Sequence, residues 1–209
     1  MKIKKAPPTQ EEQLKKKEEM TSWAKARLVD PQTLIVDVET TGLLTKDPKT
    51  EVVSLSMIDN EGRVVLGALV NPQRPIPMEV QKIHKIDDRA VRGCPPFPAI
   101  GNLIAGIMDG RHVVAFNASF DVHLIVTLFQ RYGIAVPDFE VSCAMEAYSA
   151  WVGDWAKTKS AYKWQRLPKL AFGQAHDSLV DCQSTLLLLK KMAGDFSDEP
   201  DTDDISLNF

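Results

Sequence analysis

Apolar, β-branched runs bounded by turn residues predict strands at about 33–39, 51–59, 63–70 and 112–116, with a short one near Glu140-Val-Ser142. The second and third form a hairpin turning at Asn60-Glu-Gly62. Helix-like stretches follow a different rhythm and are expected near 78–92, 97–109, 119–132, 143–152 and 178–192. Asp177 or Ser178 caps the last of these. A hairpin followed by helix and strand in alternation is a mixed α/β pattern, and no internal repeat interrupts it. The Lys/Glu/Gln-rich stretch through about Met20 and the last fifteen residues, with Asp-Glu-Pro-Asp and Asp-Asp, carry the composition of disorder and are expected to add nothing to the core. The pattern divides the chain into an N-terminal extension at 1–22, disordered or helical, a folded domain at 23–194 and an acidic disordered tail at 195–209.

Composition adds bounds. The chain has 209 residues, 44% hydrophobic and 7% aromatic, enough for one core. No apolar stretch reaches membrane-spanning length, and Met1-Lys-Ile-Lys-Lys-Ala-Pro-Pro lacks the hydrophobic segment of a signal peptide, so a cytoplasmic location is expected. Cys94, Cys143 and Cys182 are too few and too scattered for a disulfide framework or a zinc site, and read as reduced thiols. The formal net charge of −3 is unevenly spread. Residues 1–20 hold six Lys and four Glu, residues 195–209 hold six acids and no base, and the body between holds 19 bases and 18 acids. Such a body suits local phosphate binding in a cleft better than a broadly basic surface does.

Candidate chemistry begins in Leu34-Ile-Val-Asp-Val-Glu-Thr-Thr-Gly42. Asp37 and Glu39 lie two residues apart in an apolar strand, so both carboxylates leave the same face. Two like charges in an apolar element are costly unless a cation sits between them, and a hard divalent ion, Mg²⁺ or Mn²⁺, is the natural partner. Such an ion calls for further acids. Asp121 stands at a strand-to-helix corner after His112-Val-Val-Ala-Phe116, and Asp181 lies one turn into the last helix, with His176 just outside it.

The motifs D-x-E-T-T-G at Asp37 to Gly42, N-x-x-F-D at Asn117 to Asp121 and H-x-x-x-x-D at His176 to Asp181 occur in that order. Together they resemble the three motifs of the DnaQ-like 3′→5′ exonucleases of the DEDDh type, over about residues 33 to 193. The resemblance implies a ribonuclease H-like fold, α/β with a mixed five-stranded sheet flanked by helices. It implies Asp37, Glu39, Asp121 and Asp181 as ligands to two divalent metal ions, Mg²⁺ or Mn²⁺, and His176 as general base. Its reaction is release of nucleoside 5′-monophosphates from nucleic acid 3′ ends. Two metal ions can activate water and stabilise the leaving oxygen, and an imidazole of ordinary pKa can take the water's proton near neutrality. DNA is the favoured polymer, in proofreading or repair. An exoribonuclease is the enzymatic alternative, and a catalytically quiet nucleic-acid or clamp-binding subunit is the alternative of another class.

By motif position Thr40, Thr41 and Phe120 line the cleft. Val80-Gln-Lys-Ile-His-Lys-Ile86 is similar to a His-Gly-Ile region of the family, with Lys85 in place of Gly, and His84 is read either as a contact to the terminal nucleotide or as a surface helix residue. Tyr162-Lys-Trp-Gln-Arg-Leu-Pro168 combines aromatics with cations, so Trp164 either stacks on bases or packs near the site. His112 and His123 are read as structural. Asp204-Ile-Ser-Leu-Asn-Phe209 resembles a bacterial sliding-clamp-binding peptide, with Ile205, Leu207 and Phe209 as its apolar anchors.

Overall fold

The computed structural model describes residues 6–156, 160–171, 173 and 176–195. Five strands, β1 (Thr33–Thr40), β2 (Val52–Asp59), β3 (Val64–Leu69), β4 (His112–Ala115) and β5 (Glu140–Cys143), form one sheet in the order β3-β2-β1-β4-β5. The first three pair antiparallel, and β4 and β5 add parallel to β1. The β2–β3 hairpin turns where expected. Asp59 Oδ1 accepts from the N–H groups of Glu61 and Arg63, and Gly62 takes φ +90.

Alternation along β1 assigns its two faces. Leu34, Val36 and Val38 enter a core layer with Phe97, Ile104, Met108, Leu124, Ile125, Leu128 and Phe129. These come from α4 (Phe97–Met108) and α5 (Asp121–Arg131). Ile35 enters the opposite layer with Ala144, Ala147, Cys182, Leu186, Leu188 and Leu189, contributed by α6 (Ala144–Val152) and α7 (Ser178–Ala193). The pleat therefore aims Asp37 and Glu39, which share the parity of Ile35, toward the side that α7 covers.

Three features depart from the sequence reading. The extension expected at 1–22 is not separate from the domain. Residues Gln10–Val29 form a helix, α1, capped by Thr9 and Glu12 in a reciprocal capping box, and it runs across the 22/23 boundary. Ala24 is fully buried, and Met20, Trp23 and Leu28 pack against the α6–α7 layer, so this segment does contribute to the core. Second, the helix expected over 78–92 is two pieces, α2 (Met78–His84) and α3 (Asp88–Val91). Lys85 breaks it with φ 62, a left-handed conformation that favours glycine and ends a helix. Third, a small hairpin of β6 (Trp155–Ala156) and β7 (Ala161–Tyr162) lies beyond α6, braced by an edge-to-face contact of Trp155 with Tyr162 at 5.3 Å. The acidic tail, apart from Asp195, lies outside the described residues. No helix among the described residues is long and apolar enough to cross a membrane.

Candidate active site

Strand β4 ends at Ala115 and pairs with β1 only as far as Ile35↔Val114, so the later part of β1 has a bare edge on that side. The opening lies at the carboxyl ends of parallel strands, where open α/β sheets place their sites. Asp121, the first residue of α5 and 3% exposed, fills it, and its Oδ1 accepts from the Val38 N–H at 3.2 Å. The Asn117 carbonyl accepts from the N–H groups of Phe120 and Asp121, which forms the corner that aims this acid at β1. On the other edge Asp37 is paired with Ser56 and Glu39 with Ser54, and the register shifts between Glu39 and Thr40 as the strand leaves the sheet.

Helix α7 brings the remaining groups. Asp177 caps it by accepting from the N–H groups of Leu179 and Val180. Ser178, almost fully buried, reaches β2 through 2.8 Å hydroxyl contacts with both Ser54 and Ser56. His176, exposed and at φ 63, donates its backbone N–H to Asp181 Oδ2 at 3.2 Å. Glu39, His176 and Asp181 each offer a ligand atom within 4.8 Å of the others. Strand, corner and capped helix thus bring together five groups from three distant stretches of chain.

Electrostatics registers this crowding. Burial, then the charges of Asp121, Asp181, Glu39 and Asp177, pushes Asp37 well above the usual carboxylate range. Burial and the neighbouring acids Asp181, Asp121 and Asp177 push Glu39 up to about 8. Burial pushes Asp121 up to about 7 against the lowering effect of the Val38 N–H. Asp181 is raised by burial, with His176 opposing. The Lys and Arg ion pairs among the described residues all lie elsewhere. Four converging carboxylates with one imidazole, none of them ion-paired to Lys or Arg among the described residues, are a donor set suited to hard divalent ions.

The five groups sit in a cleft of about 1130 Å³. Thr40, Thr41 and Phe120 line it as expected, but the two hydroxyls shape the loop. Thr40 Oγ1 donates to the Gly42 carbonyl at 2.7 Å, and Thr41 Oγ1 accepts from the Glu51 N–H at 3.0 Å. His84 also lines the cleft and is 5% exposed, which rules out the surface reading. Its Nδ1 accepts from the Ile86 N–H at 3.1 Å, so a neutral ring carries its proton on Nε2, a buried atom on the side of the Thr40 backbone. Burial lowers the pKa of His84, which favours that neutral form. Trp164 does not line the cleft and is 72% exposed, whereas its neighbours Gln165 and Arg166 do line it, with Lys169. His112 is structural, held between Glu140 and Ser142 at the far end of β4. Ile205, Leu207 and Phe209 lie outside the described residues. Sequence reasoning missed Lys46 and Lys169 in the lining; Asn117 and Ser178 fell within motifs, but neither was read as part of the site, Ser178 only as a possible cap.

Comparison with known proteins bears on the family and the fold. The exonuclease family profile, RNase_T, matches residues 34–189. An uncharacterized exonuclease, CP81, of Escherichia phage 186 is 33% identical over 173 residues, 77% of this chain and 87% of the phage protein. The 3′-5′ exonuclease DinG of Bacillus subtilis is 26% identical over 54% of this chain, which spans only 12% of DinG. Among solved structures, zinc-bound E. coli exonuclease I in complex with single-stranded DNA superposes with a TM-score of 0.60 at 18% identity. That match covers 76% of this chain and 40% of exonuclease I, and it establishes the fold. With its mixed five-stranded sheet and a family match spanning most of its length, the chain belongs to the DnaQ-like exonucleases of the ribonuclease H-like superfamily.

Proposed function

We propose that this exonuclease is metal-dependent and works from the 3′ end of DNA, releasing nucleoside 5′-monophosphates in proofreading or repair. One observation carries the reading: Asp37, Glu39, Asp121 and Asp181 converge on one cleft floor, their carboxyls held above the ordinary range, with His176 beside Glu39 and Asp181. The four acids would hold two divalent ions, Mg²⁺ or Mn²⁺, which when bound lower the pKa of the attacking water and neutralise charge on the phosphate. His176 receives the proton of that water at its imidazole, and the bond from its own backbone N–H to Asp181 keeps the base beside the acids. His84, fixed in the cleft lining by the Ile86 N–H, is read as a contact to the terminal nucleotide. The name of DinG supports the 3′→5′ polarity, and the DNA strand in exonuclease I supports the polymer. The terminal peptide with Ile205, Leu207 and Phe209 is read as a sliding-clamp docking segment.

The test uses DNA and RNA oligomers labelled at either end, incubated with Mg²⁺, Mn²⁺ or chelator, and their product ladders. The expected result is stepwise shortening of 5′-labelled DNA, slower shortening of RNA, and none in chelator. Faster loss of RNA than of DNA would replace the DNA reading with an exoribonuclease. Activity undiminished by chelator would remove the metal reading altogether.

A further inference from the structure

The wall of the cleft beyond the small hairpin is a segment with no regular structure of its own, yet it is pinned along its length. Lys163 N–H donates to the Asp154 carbonyl at 2.7 Å, Gln165 N–H to the hydroxyl of buried Ser149 at 3.2 Å, and Ala171 N–H to Ser184 Oγ at 3.4 Å. Leu167 and Leu170 turn inward and pack against the α6–α7 core layer. Lys163, Trp164, Arg166 and Lys169 are left exposed, with Arg166 and Lys169 on the cleft itself. One wall segment thus places two cations, Arg166 and Lys169, on the cleft above a floor of four acids, and continues outward through the exposed Trp164 and Lys163.

That distribution matters for a polyanion. Before metal binds, the acids on the floor repel phosphate, and bound ions act only on the groups they touch, so grip on the rest of a strand has to come from the rim. From Trp164 to Lys169 an extended chain reaches at most roughly 17 Å, and stacked nucleotides repeat at about 3.4 Å along a strand, so the wall can meet several in succession. A base can stack on an indole only when its face is free, which a single strand offers and a duplex interior does not.

We propose that residues 163–169 form a track for the single strand 5′ of the scissile phosphate, with Trp164 stacking on a base and Lys163, Arg166 and Lys169 following the phosphates. The track rests on the exonuclease reading above and adds that unpaired 3′ ends are the preferred substrate.

The experiment pairs equilibrium binding with turnover. Fluorescence anisotropy in Ca²⁺ gives the affinity of the full chain for a labelled 15-nucleotide single strand, and hydrolysis of the nitrophenyl ester of thymidine 5′-phosphate, too short to reach the wall, reports the chemical site. Trp164→Ala should weaken strand binding roughly tenfold, with Trp164→Phe close to the parent, and leave ester hydrolysis unchanged. Arg166→Glu with Lys169→Glu should reduce the salt dependence of strand binding by about two phosphate contacts. Strand affinity of Trp164→Ala within twofold of the parent, or an equal loss on strand and ester, overturns the track. If the strand binds as expected but neither ester nor DNA is hydrolysed with Mg²⁺ or Mn²⁺, the track stands and the exonuclease reading falls. If hydrolysis proceeds and the strand ignores Trp164, only the track falls.

Discussion

Asp37 occupies the same pleat face that Ile35 occupies two residues earlier, so a carboxyl group follows directly on apolar packing. Its pKa, with those of Glu39 at about 8 and Asp121 at about 7, lies above that of the unfolded chain. The folded metal-free protein therefore holds protons that the unfolded chain has released, and stability must fall as pH rises from about 4.5 toward 8. Asp37→Asn removes one of the opposed charges. In chelator at pH 8 it should melt several degrees above the parent, at about 2–4 °C per kcal/mol for a chain of this size, and show a flatter pH profile. Turnover should fall by more than the roughly 10–100-fold that loss of a group merely supporting a metal ligand costs. Thermal melts from pH 5 to 8 with and without Mn²⁺ check the signs, and a metal-free melting temperature that climbs with pH would refute the account. Asp37 and Glu39 were legible in the sequence because charge inside an apolar strand has few explanations, and Asp121 and Asp181, ordinary first-turn acids taken singly, only through the motifs read together. The environment of His84 was not, since its burial depends on the left-handed break at Lys85 and on the loops around it.

The last helix meets the sheet through one small polar contact. Ser54 and Ser56 lie on β2 opposite Glu39 and Asp37, and Ser178 bridges the two hydroxyls from the first turn of α7. Each hydroxyl has one proton, so Ser178 can donate to one serine and accept from the other, and losing it strands two partners in the interior. Ser178→Ala should cost about 1–3 kcal/mol in urea melts and lower kcat more than it changes KM, because His176 and Asp181 ride on that turn. Replacing all three serines by alanine should recover most of the stability, since no buried hydroxyl is then left unpaired, without recovering the rate. A single substitution as costly as the triple would remove the bridge as the reason. Most elements here were legible because β1 and β2 are apolar runs bounded by turn residues, α5 is strongly amphipathic and α7 is announced by its capping residues. The pair β6 and β7 was not, because two-residue strands carry no period. For α1, read as disordered or helical, it was the packing that stayed hidden, because the charges of residues 11–19 dilute the Met20, Trp23, Ala24 and Leu28 face that packs.

Across the molecule α7 has two duties: its first turn carries the site, and its body packs between α1 and the sheet. Whether α1 matters to chemistry depends on whether disturbance of that body reaches the first turn. The turn has its own fixings in the Asp177 cap and the Ser178 bridge, so the packing of α1 should bear on stability and leave the site's geometry alone. Ala24 tests the separation, because it is fully buried in the layer shared with α6 and α7. Ala24→Leu overpacks that layer at about 1–3 kcal/mol, a loss of roughly 2–12 °C in melting temperature. At 25 °C, well below the transition, kcat and KM should match the parent. A rate that falls while the melting temperature holds would mean that α1 sets the position of Asp181 and His176 through the length of α7, and that the N-terminal helix is part of the catalytic apparatus.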